Sequence, residues 1–364
     1  MISKKIFEII TGPVSRWKNF LGRKKQSYIT EDWRDLPLRP INNNSRVGWV
    51  LAGNEQVGSS RLKGILLNRY AHENACGFLS NILYMPFQSN TCLNWQRYEW
   101  QPILKRVDVL VLQTWTGSTL ELLEDCWRRR VAVVFTLSDL EFHKVPQRLF
   151  ELIDAVVVSS EKLNEEASKF HKRVFLIDDP IEVPSGLVRK PVANNGVEPE
   201  LVWMGHPNNW PETDFIRRIL DRLEFADIKL RTITKHPEAT YQWNLDTRWK
   251  DVSQSDIAVI PCKLDEWGIS KSSNRLASFM TLGYPVIARP IPSYKKFIEN
   301  GVNGFFAVSE RDWIECIRLR RDPYLRNRVG NAARETPALQ ELKIENVIKQ
   351  WANLFKSLRD LKKI

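Results

Sequence analysis

The residues with the clearest capacity for chemistry form one run: Lys271, Ser272, Ser273, Asn274 and Arg275. Serine and asparagine are favoured where a helix begins, and the N–H groups and dipole of a first helical turn attract an anion. Lysine and arginine beside them add positive charge. The run therefore predicts a site for a diphosphate, such as that of a sugar nucleotide. An ordinary capped helix with solvated basic residues explains the same pattern equally well.

This run opens a longer pattern that predicts a helix followed by a strand. Leu276, Phe279 and Met280 have the spacing of one buried helical face. Gly283 suits the end of that helix, because glycine takes a positive φ without a steric clash. Val286–Ala288 is wholly apolar, which is typical of a strand covered on both faces.

A second loop near the other end of the chain has similar chemistry. Gly58, Ser59 and Arg61 lie between a predicted strand at residues 47–52 and a predicted helix that contains Leu62 and Leu66. A strand, a Gly/Ser loop and a helix in this order present backbone N–H groups to a phosphate or a sugar hydroxyl. A plain βα turn is the competing interpretation, because a full Gly-x-Gly-x-x-Gly pattern is missing.

The composition indicates a globular protein with an anionic partner. With 43% hydrophobic and 27% charged residues, the 364-residue chain is long enough for two domains. The net charge of +11 favours nucleic acid, an anionic membrane surface or a phosphorylated substrate. Five scattered cysteines without a Cys-x-x-Cys pair argue against a disulfide framework and a zinc site. We therefore expect a reducing, cytoplasmic location.

Residues 1–25 have a pattern of their own. Their apolar residues fall on one side of a helical wheel and their basic residues on the other side or its borders. Such a basic amphipathic helix can lie in the plane of an anionic membrane, which predicts a peripheral position on the cytoplasmic face. A helix that docks on the protein itself is the alternative. No run of about 18 apolar residues predicts a membrane span.

Apolar strand-like runs alternate with helical patterns over most of the chain. The predicted strands are at residues 47–52, 109–113, 131–136, 155–159, 173–177, 201–205, 228–234, 256–261 and 286–288. A further helix is predicted at residues 294–299. This alternation indicates parallel βαβ units. The predicted fold is α/β, with two doubly wound Rossmann-like domains at residues 46–182 and 198–340 that face each other across a cleft.

Several segments of the second half resemble the C-terminal domain of GT-B glycosyltransferases, nearest to glycosyltransferase family 4. They are Lys271-Ser-Ser-Asn-Arg-Leu276, Gly283-Tyr-Pro-Val-Ile-Ala288 and residues 298–304 and 322–334. The resemblance covers residues 200–355 well and residues 46–180 only by layout. It implies that the C-terminal domain binds a nucleotide sugar, that the N-terminal domain binds the acceptor and that a last helix, at residues 341–364, crosses back to the first domain. It also implies no obligatory metal and no cofactor beyond the nucleotide-sugar co-substrate.

The resemblance assigns expected roles to individual residues. Gly205 and His206 would line the diphosphate side of the cleft, and Lys271 would meet the diphosphate with the N–H groups near Ser272, Ser273 and Asn274. Gly58, Ser59 and Arg61 resemble the glycine loop that approaches the same group, and Arg275 is a further available cation.

One departure from the family pattern concerns a pair of carboxylates. The family has a Glu-x7-Glu pair whose second member lies five residues before the glycine that ends the helix. Counting back from Gly283 places Ser278 and Ser270 at these two positions. Glu266 lies close before them, and Ser278 could give a ribose hydroxyl one weaker hydrogen bond.

The expected chemistry is transfer of a sugar with departure of a diphosphate. Lys271 is the leading candidate to stabilise the leaving diphosphate. Asp139 and His143 follow the predicted strand at residues 131–136 and are candidate bases for an acceptor hydroxyl. The leading hypothesis is a glycosyltransferase that acts on a glycan or a lipid-linked acceptor. The alternatives are a catalytically silent module that binds a nucleotide or glycan, a sugar-nucleotide epimerase and, last, a nucleic-acid-binding protein.

Overall fold

The computed structural model describes residues 29–39, 44–87, 93, 96–189, 199–222, 228–319 and 322–362. The predicted amphipathic helix at residues 1–25 lies outside these ranges. The described residues fall into two compact units. The first unit contains residues up to Pro180 together with residues 342–362, and the second contains residues 181–341.

The described part of the first unit is built on one parallel sheet with helices between its strands. Its six strands are β1 (Ser45–Val50), β2 (Phe78–Tyr84), β3 (Val109–Leu112), β4 (Ala132–Thr136), β5 (Ala155–Val158) and β6 (Val174–Leu176). They lie in the order β2-β1-β3-β4-β5-β6. The first helix, α1, begins at Gly58–Ser60, continues through a π-helical turn at Arg61–Ile65 and ends with Leu66–Glu73. The others are α2 (Arg97–Leu104), α3 (Thr119–Arg128), α4 (Gln147–Leu152) and α5 (Glu161–Ala167).

The described part of the second unit has a second parallel sheet. Its strands are β7 (Leu201–Met204), β8 (Leu230–Thr234), β9 (Tyr241–Gln242), β10 (Ile257–Ile260), β11 (Val286–Ala288) and β12 (Phe305–Phe306). They lie in the order β12-β11-β10-β7-β8-β9. The helices are α6 (Pro211–Arg222), α7 (Arg248–Val252), α8 (Glu266–Ile269), α9 (Asn274–Thr281), α10 (Glu310–Leu319) and α11 (Pro323–Arg334). A last helix, α12 (Ile344–Lys362), belongs to the first unit.

The apolar strand runs explain why both sheets are covered on two faces. Every residue of β3, β4, β5 and β10 is buried, which is usual for parallel strands between helices. In the first unit, α12 covers one face of the sheet. Trp351 packs edge-on against Trp49 of β1 at 5.5 Å between ring centroids, and Phe355 packs against Phe78 of β2 at 5.0 Å. The predicted α/β fold with two doubly wound sheets is therefore confirmed.

One predicted helix was wrong, and one strand, β2, was not predicted. Residues 294–299 do not form a helix; a single 3-10 turn at Pro292–Tyr294 is present instead. Here the side chain of Asn303 donates a hydrogen bond to the carbonyl of Phe297 and accepts one from the N–H of Glu299, which gives the backbone an alternative to helical bonding.

No helix in the described part of the chain is both long and apolar enough to cross a membrane.

Strand β2 was missed because Ser80 and Asn81 interrupt its apolar residues. Both are buried and have hydrogen-bond partners in the folded protein. Trp49 Nε1 donates to Ser80 Oγ at 2.8 Å, Ser80 Oγ donates to Asn68, and the Asn81 amide donates to the carbonyl of Asp32. Only distant partners make these polar residues compatible with a central strand.

Candidate functional site

The second sheet reverses its strand order between β7 and β10. If its strands are numbered from 1 to 6 in chain order, the sheet runs 6-5-4-1-2-3. The chain therefore moves from β7 towards one edge of the sheet and from β10 towards the other. Open α/β sheets bind ligands outside the carboxyl ends of the two strands at such a point. The segments that follow these ends are Gly205 and His206 after β7 and residues 261–273 after β10. This is the place where the predicted anion-binding run lies.

The run leads into α9, although its first residues are not arranged as a conventional cap. Asn274 is the first helical residue, and Ser273 is the N-cap residue with φ −74° and ψ −4°. A serine thus stands at the N-cap position, but the buried Ser273 side chain makes no capping hydrogen bond. At the other end Gly283 has φ +82°, as predicted.

Lys271 precedes this helix and lies against an aromatic ring. Its Nζ is 4.5 Å from the centroid of Trp267, a side chain that is 40% exposed. A lysine over the face of a tryptophan is a cation–π contact. The Lys271 carbonyl accepts a hydrogen bond from Ser293 Oγ at 2.7 Å, which fixes the backbone at this point. Lys271 is therefore a partly exposed cation on an anchored backbone beside an accessible ring.

Arg275 belongs to a buried polar network. One Nη atom lies 2.9 Å from the carboxylate of Glu212 and 3.4 Å from the carbonyl of Met204, the last residue of β7. The other lies 3.0 Å from the sulfur of Cys262, just after β10. Burial alone would lower the pKa of the Arg275 guanidinium, but Glu212, Cys262 and Tyr294 together more than offset this and raise that pKa above its ordinary value. Arg275 was proposed as a cation for the diphosphate, whereas its charge is already matched by Glu212.

The two serines at the carboxylate positions have different surroundings. Ser270 Oγ donates a hydrogen bond to the carbonyl of Trp267 at 2.7 Å and so closes the short helix α8. Ser278 is 1% exposed, and its Oγ has no hydrogen-bond partner among the described residues. The Nδ2 atom of Asn274, one turn earlier, is likewise buried without such a partner. Two polar groups on one side of α9 are therefore unsatisfied within the described protein.

Gly205, His206 and Glu266 differ in their surroundings. A Cβ at Gly205 would lie 2.5 Å from the ring of Trp203, so glycine is required by close packing. His206 is exposed, and its Nδ1 accepts the N–H of Asn208 at 3.2 Å. Glu266 is exposed in the first turn of α8.

In the first unit, Gly58, Ser59 and Arg61 lie at the start of α1, next to the reversal of strand order between β1 and β3. Ser60 Oγ accepts the N–H of Gly53 and donates to Gln113, which directly follows β3. Arg61 donates to the carbonyl of Glu55 at 2.8 Å. A Cβ at Gly58 would meet no atom within 4 Å, so packing does not require glycine there.

A buried cluster in the same unit was missed by sequence reasoning. Lys63 of α1 donates to Ser138 Oγ at 2.9 Å, and its Nζ is 3.8 Å from a carboxylate oxygen of Asp179. Ser138 and Asp179 each follow a strand, β4 and β6, so all three residues lie at the carboxyl edge of the sheet. The positions of Ser138 and Asp179 shortly after predicted strands could have indicated this cluster. Lys63, within an apolar helical pattern, gave no such indication.

The two candidate bases lie nearby in sequence but are unlike each other. Asp139 is half-buried after β4, and its carbonyl accepts the N–H of Glu141 at 2.8 Å. His143 is exposed in a 3-10 turn at Phe142–Lys144. Glu141 forms a surface ion pair with Lys144 at 2.8 Å. The structure thus places Asp139 at the carboxyl edge of β4 and His143 farther out on the surface.

The described residues contain no group of three or more His, Cys, Asp or Glu side chains that could hold a metal ion. Within the second unit, the structure brings together residues 204–206, Glu212, Cys262 and the start of α9 through the Arg275 network. Within the first unit, it brings the Gly58 segment next to Gln113 through Ser60.

These two sheets, each with a reversed strand order and helices on both faces, define the GT-B fold. Neither a family model nor a curated protein matches the sequence. Solved structures do share the fold. Anabaena HepE in complex with UDP and glucose has a TM-score of 0.60 at 12% identity, over 86% of this chain and 100% of that one.

Two further structures are similar to a comparable degree. A glycosyltransferase from Rickettsia africae has a TM-score of 0.64 at 14% identity and covers 87% of this chain and 99% of its own. Sucrose-phosphate synthase from Thermosynechococcus elongatus has a TM-score of 0.61 at 12% identity, over 87% and 100%. At these identities the likeness establishes the fold.

Proposed function

We propose that the protein is a glycosyltransferase that moves a sugar from a nucleotide-sugar donor to a glycan or a lipid-linked acceptor. The single observation that carries the proposal is the position of Lys271 and the start of α9 at the reversal of strand order in a GT-B second sheet. The fold is shared with a protein whose structure contains UDP and glucose. A nucleotide sugar has a diphosphate, which suits a cation beside unpaired helical N–H groups.

The donor site is built in layers around α9. The Arg275–Glu212 pair lies beneath it and positions the first turn of the helix against the end of β7. Lys271 supplies the accessible positive charge, and the backbone N–H groups near Ser272, Ser273 and Asn274 lie at the same end of α9. Gly205 and His206 border it. Ser278 and Asn274 offer unsatisfied polar groups to a hydroxyl or phosphate of the donor.

The chemistry needs stabilisation of charge at two places. As the bond between the sugar and the diphosphate breaks, positive charge develops on the sugar and negative charge on the diphosphate. Lys271 stabilises the second of these, and lysine suits a compact phosphate contact. The acceptor hydroxyl forms the new bond and loses its proton to a base, for which Asp139 is the first candidate and His143 the second. The reaction uses no metal in this proposal.

A catalytically silent GT-B module is the second candidate. It is favoured by Ser270 and Ser278, which occupy the positions of the expected carboxylate pair, and by the engagement of Ser270 Oγ with its own helix. Such a module would bind a nucleotide or a glycan as an assembly subunit without transferring sugar.

A panel of UDP-, GDP- and other nucleotide sugars tests both candidates. We expect at least one donor to raise the Tm and to be hydrolysed or transferred. Lys271→Ala should abolish the shift, whereas Lys250→Ala, an exposed lysine on α7, should keep it. Stabilisation without turnover on a broad acceptor panel favours the silent module. If no nucleotide sugar or nucleotide raises the Tm, both candidates are wrong.

The proposed location is the cytoplasm, peripheral on the cytoplasmic face of a membrane through residues 1–25. The high positive charge of the chain supports an anionic surface as partner. Removal of residues 1–25 should reduce co-sedimentation with anionic vesicles, and unchanged co-sedimentation would contradict this part of the proposal. We do not assign nucleic acid as a partner.

A further inference from the structure

The residues that precede three strands of the first sheet are strongly basic. Lys105 and Arg106 come before β3, residues 128–130 are three arginines before β4, and Lys172 and Arg173 come before β6. Strands β3, β4, β5 and β6 are neighbours and parallel, so their amino ends lie along one edge. We call these seven residues the basic rim. It lies at the opposite edge of the sheet from Gly58 and Asp139.

The charge of five of the seven basic-rim residues is not balanced by acidic neighbours. Lys105, Arg129, Arg130, Lys172 and Arg173 are exposed and form no side-chain ion pair with the described residues.

The carboxylates close to the rim are already paired. Asp108 binds Arg46 at 2.7 Å, and Asp154 binds Lys362 at 2.8 Å. Asp125 binds both Arg97 and Arg128, and Glu124 also binds Arg128. The rim therefore presents net positive charge to the surroundings.

Two exposed apolar side chains accompany these charges. Trp127 is 64% exposed and directly precedes the three arginines. Leu361 is 48% exposed at the end of α12, next to Lys362, whose ion pair with Asp154 anchors it just before β5. Tryptophan beside arginine is the combination found at the interface between a membrane and water.

Arg130 has a backbone conformation that glycine would adopt with less strain. Its φ is +58°, and among the described residues it is the one non-glycine residue with a positive φ. The N–H of Arg130 donates to the carbonyl of Trp127, and that of Val131 donates to Cys126, which is a Schellman motif at the end of α3. A strained residue is a reason to look for a function of its side chain.

A cavity of about 330 Å³ opens at the same edge. Its lining residues come from the segments before β5 and β6, and they are Ile153, Asp154, Phe170, His171, Lys172 and Arg173. Lys172 and Arg173 give it cationic groups suited to phosphate.

We propose that the basic rim binds the anionic surface of a phospholipid bilayer, with Trp127 and Leu361 entering the headgroup region and lipid phosphates meeting the arginines and lysines. This surface is separate from residues 1–25 and does not depend on the proposed transfer of sugar. The apolar side chains interleaved with the charges favour a bilayer over a nucleic acid, for which phosphate contacts alone would suffice.

Co-sedimentation of the full chain with vesicles tests the proposal. Vesicles of phosphatidylcholine with and without phosphatidylglycerol are compared at low and high salt. The variant Arg129→Glu/Lys172→Glu/Arg173→Glu should bind the anionic vesicles at least about tenfold more weakly than the parent protein. The control Arg218→Glu/Lys250→Glu/Arg328→Glu changes the net charge equally at exposed residues of the second unit and should bind like the parent.

Arg130→Gly separates binding from folding. It removes one rim charge and relieves the positive φ, so the Tm should not fall while affinity for anionic vesicles falls several-fold. Equal losses in the rim and control triple variants would overturn the proposal, because net charge would then explain the binding. So would unchanged binding of the rim variant. Rim-dependent binding to single-stranded RNA without rim-dependent binding to vesicles would assign the surface to nucleic acid and also overturn it.

Discussion

Arg275 and Glu212 form a buried ion pair 2.9 Å long between the first turn of α9 and the first turn of α6. Trp203 Nε1 donates to the same carboxylate at 2.8 Å, so β7 joins the two helices. The pair therefore fixes three elements at the point where the strand order reverses. In the proposed donor site it acts beneath the ligand and positions the surface that meets it.

Loss of one member of this pair should destabilise the protein. Glu212→Gln keeps the shape of the side chain and leaves the Arg275 charge buried without its partner. We expect the free energy of unfolding to fall by about 3 kcal/mol in urea denaturation. Asp214→Asn, on the exposed side of α6 where Asp214 pairs with Arg217, should change it by less than about 1 kcal/mol. Equal effects of the two variants would contradict the structural role of the pair.

Two glycines should respond in opposite ways to substitution by alanine. An added Cβ at Gly58 meets no atom within 4 Å, so Gly58→Ala should leave the Tm unchanged or slightly higher. It should weaken nucleotide-sugar binding, because the methyl group would stand where a phosphate approaches. Gly205→Ala should lower the Tm, since its Cβ would lie 2.5 Å from Trp203. Titration calorimetry measures the affinities, and unchanged affinity in Gly58→Ala would remove Gly58 from the site.

Asp125 should make stability dependent on pH. Hydrogen bonds from Arg97 lower the pKa of the Asp125 carboxyl; burial opposes this, and Arg128 adds to the lowering. A group with a lowered native pKa stabilises the fold above its unfolded pKa, and this contribution is lost as the pH falls through the native value. Asp125→Asn should therefore cost about 1 kcal/mol at neutral pH, and the difference from the parent should vanish under acid conditions. Glu121→Gln, exposed on the same helix, should show no such convergence.

Buried cysteines should resist alkylation in the native protein. Burial raises the pKa of the Cys126 thiol, and burial likewise raises that of Cys262 although Arg275 opposes the shift. Because the thiolate is the reactive form, neither should react with iodoacetamide at mildly alkaline pH until the protein unfolds. Cys76 is only half-buried and should react first among these three. Peptide mapping by mass spectrometry gives the order, and rapid labelling of Cys262 in folded protein would contradict it.

The fold was predictable because its parallel strands are continuous apolar runs. β3, β4, β5, β10 and β11 stand out in the sequence for this reason. β2 does not, since Ser80 depends on Trp49 and Asn68, which are distant in the chain. Short edge strands such as β9 and β12 have too few residues to form a pattern.

The candidate site was predictable in position and less so in detail. The sequence places Lys271 at the start of a helix, and the structure does the same. No local pattern reveals that Arg275 pairs with Glu212, 63 residues earlier, or that Lys63 is buried against Ser138. Both are long-range pairings of residues that are usually solvated. The rim arginines were visible in the sequence, but only the sheet order places them on one edge.

Helix α12 carries a consequence for how the chain is made. It supplies Val347, Trp351 and Phe355 to the core of a sheet whose strands are all translated before residue 180. During synthesis on a ribosome, this apolar face of the first sheet stays incompletely covered until residues 344–362 emerge from the exit tunnel, while the second unit can already be complete. The unit whose strands are translated first is thus the one that completes its folding last. Its exposed apolar face would be bound by a chaperone at the tunnel exit.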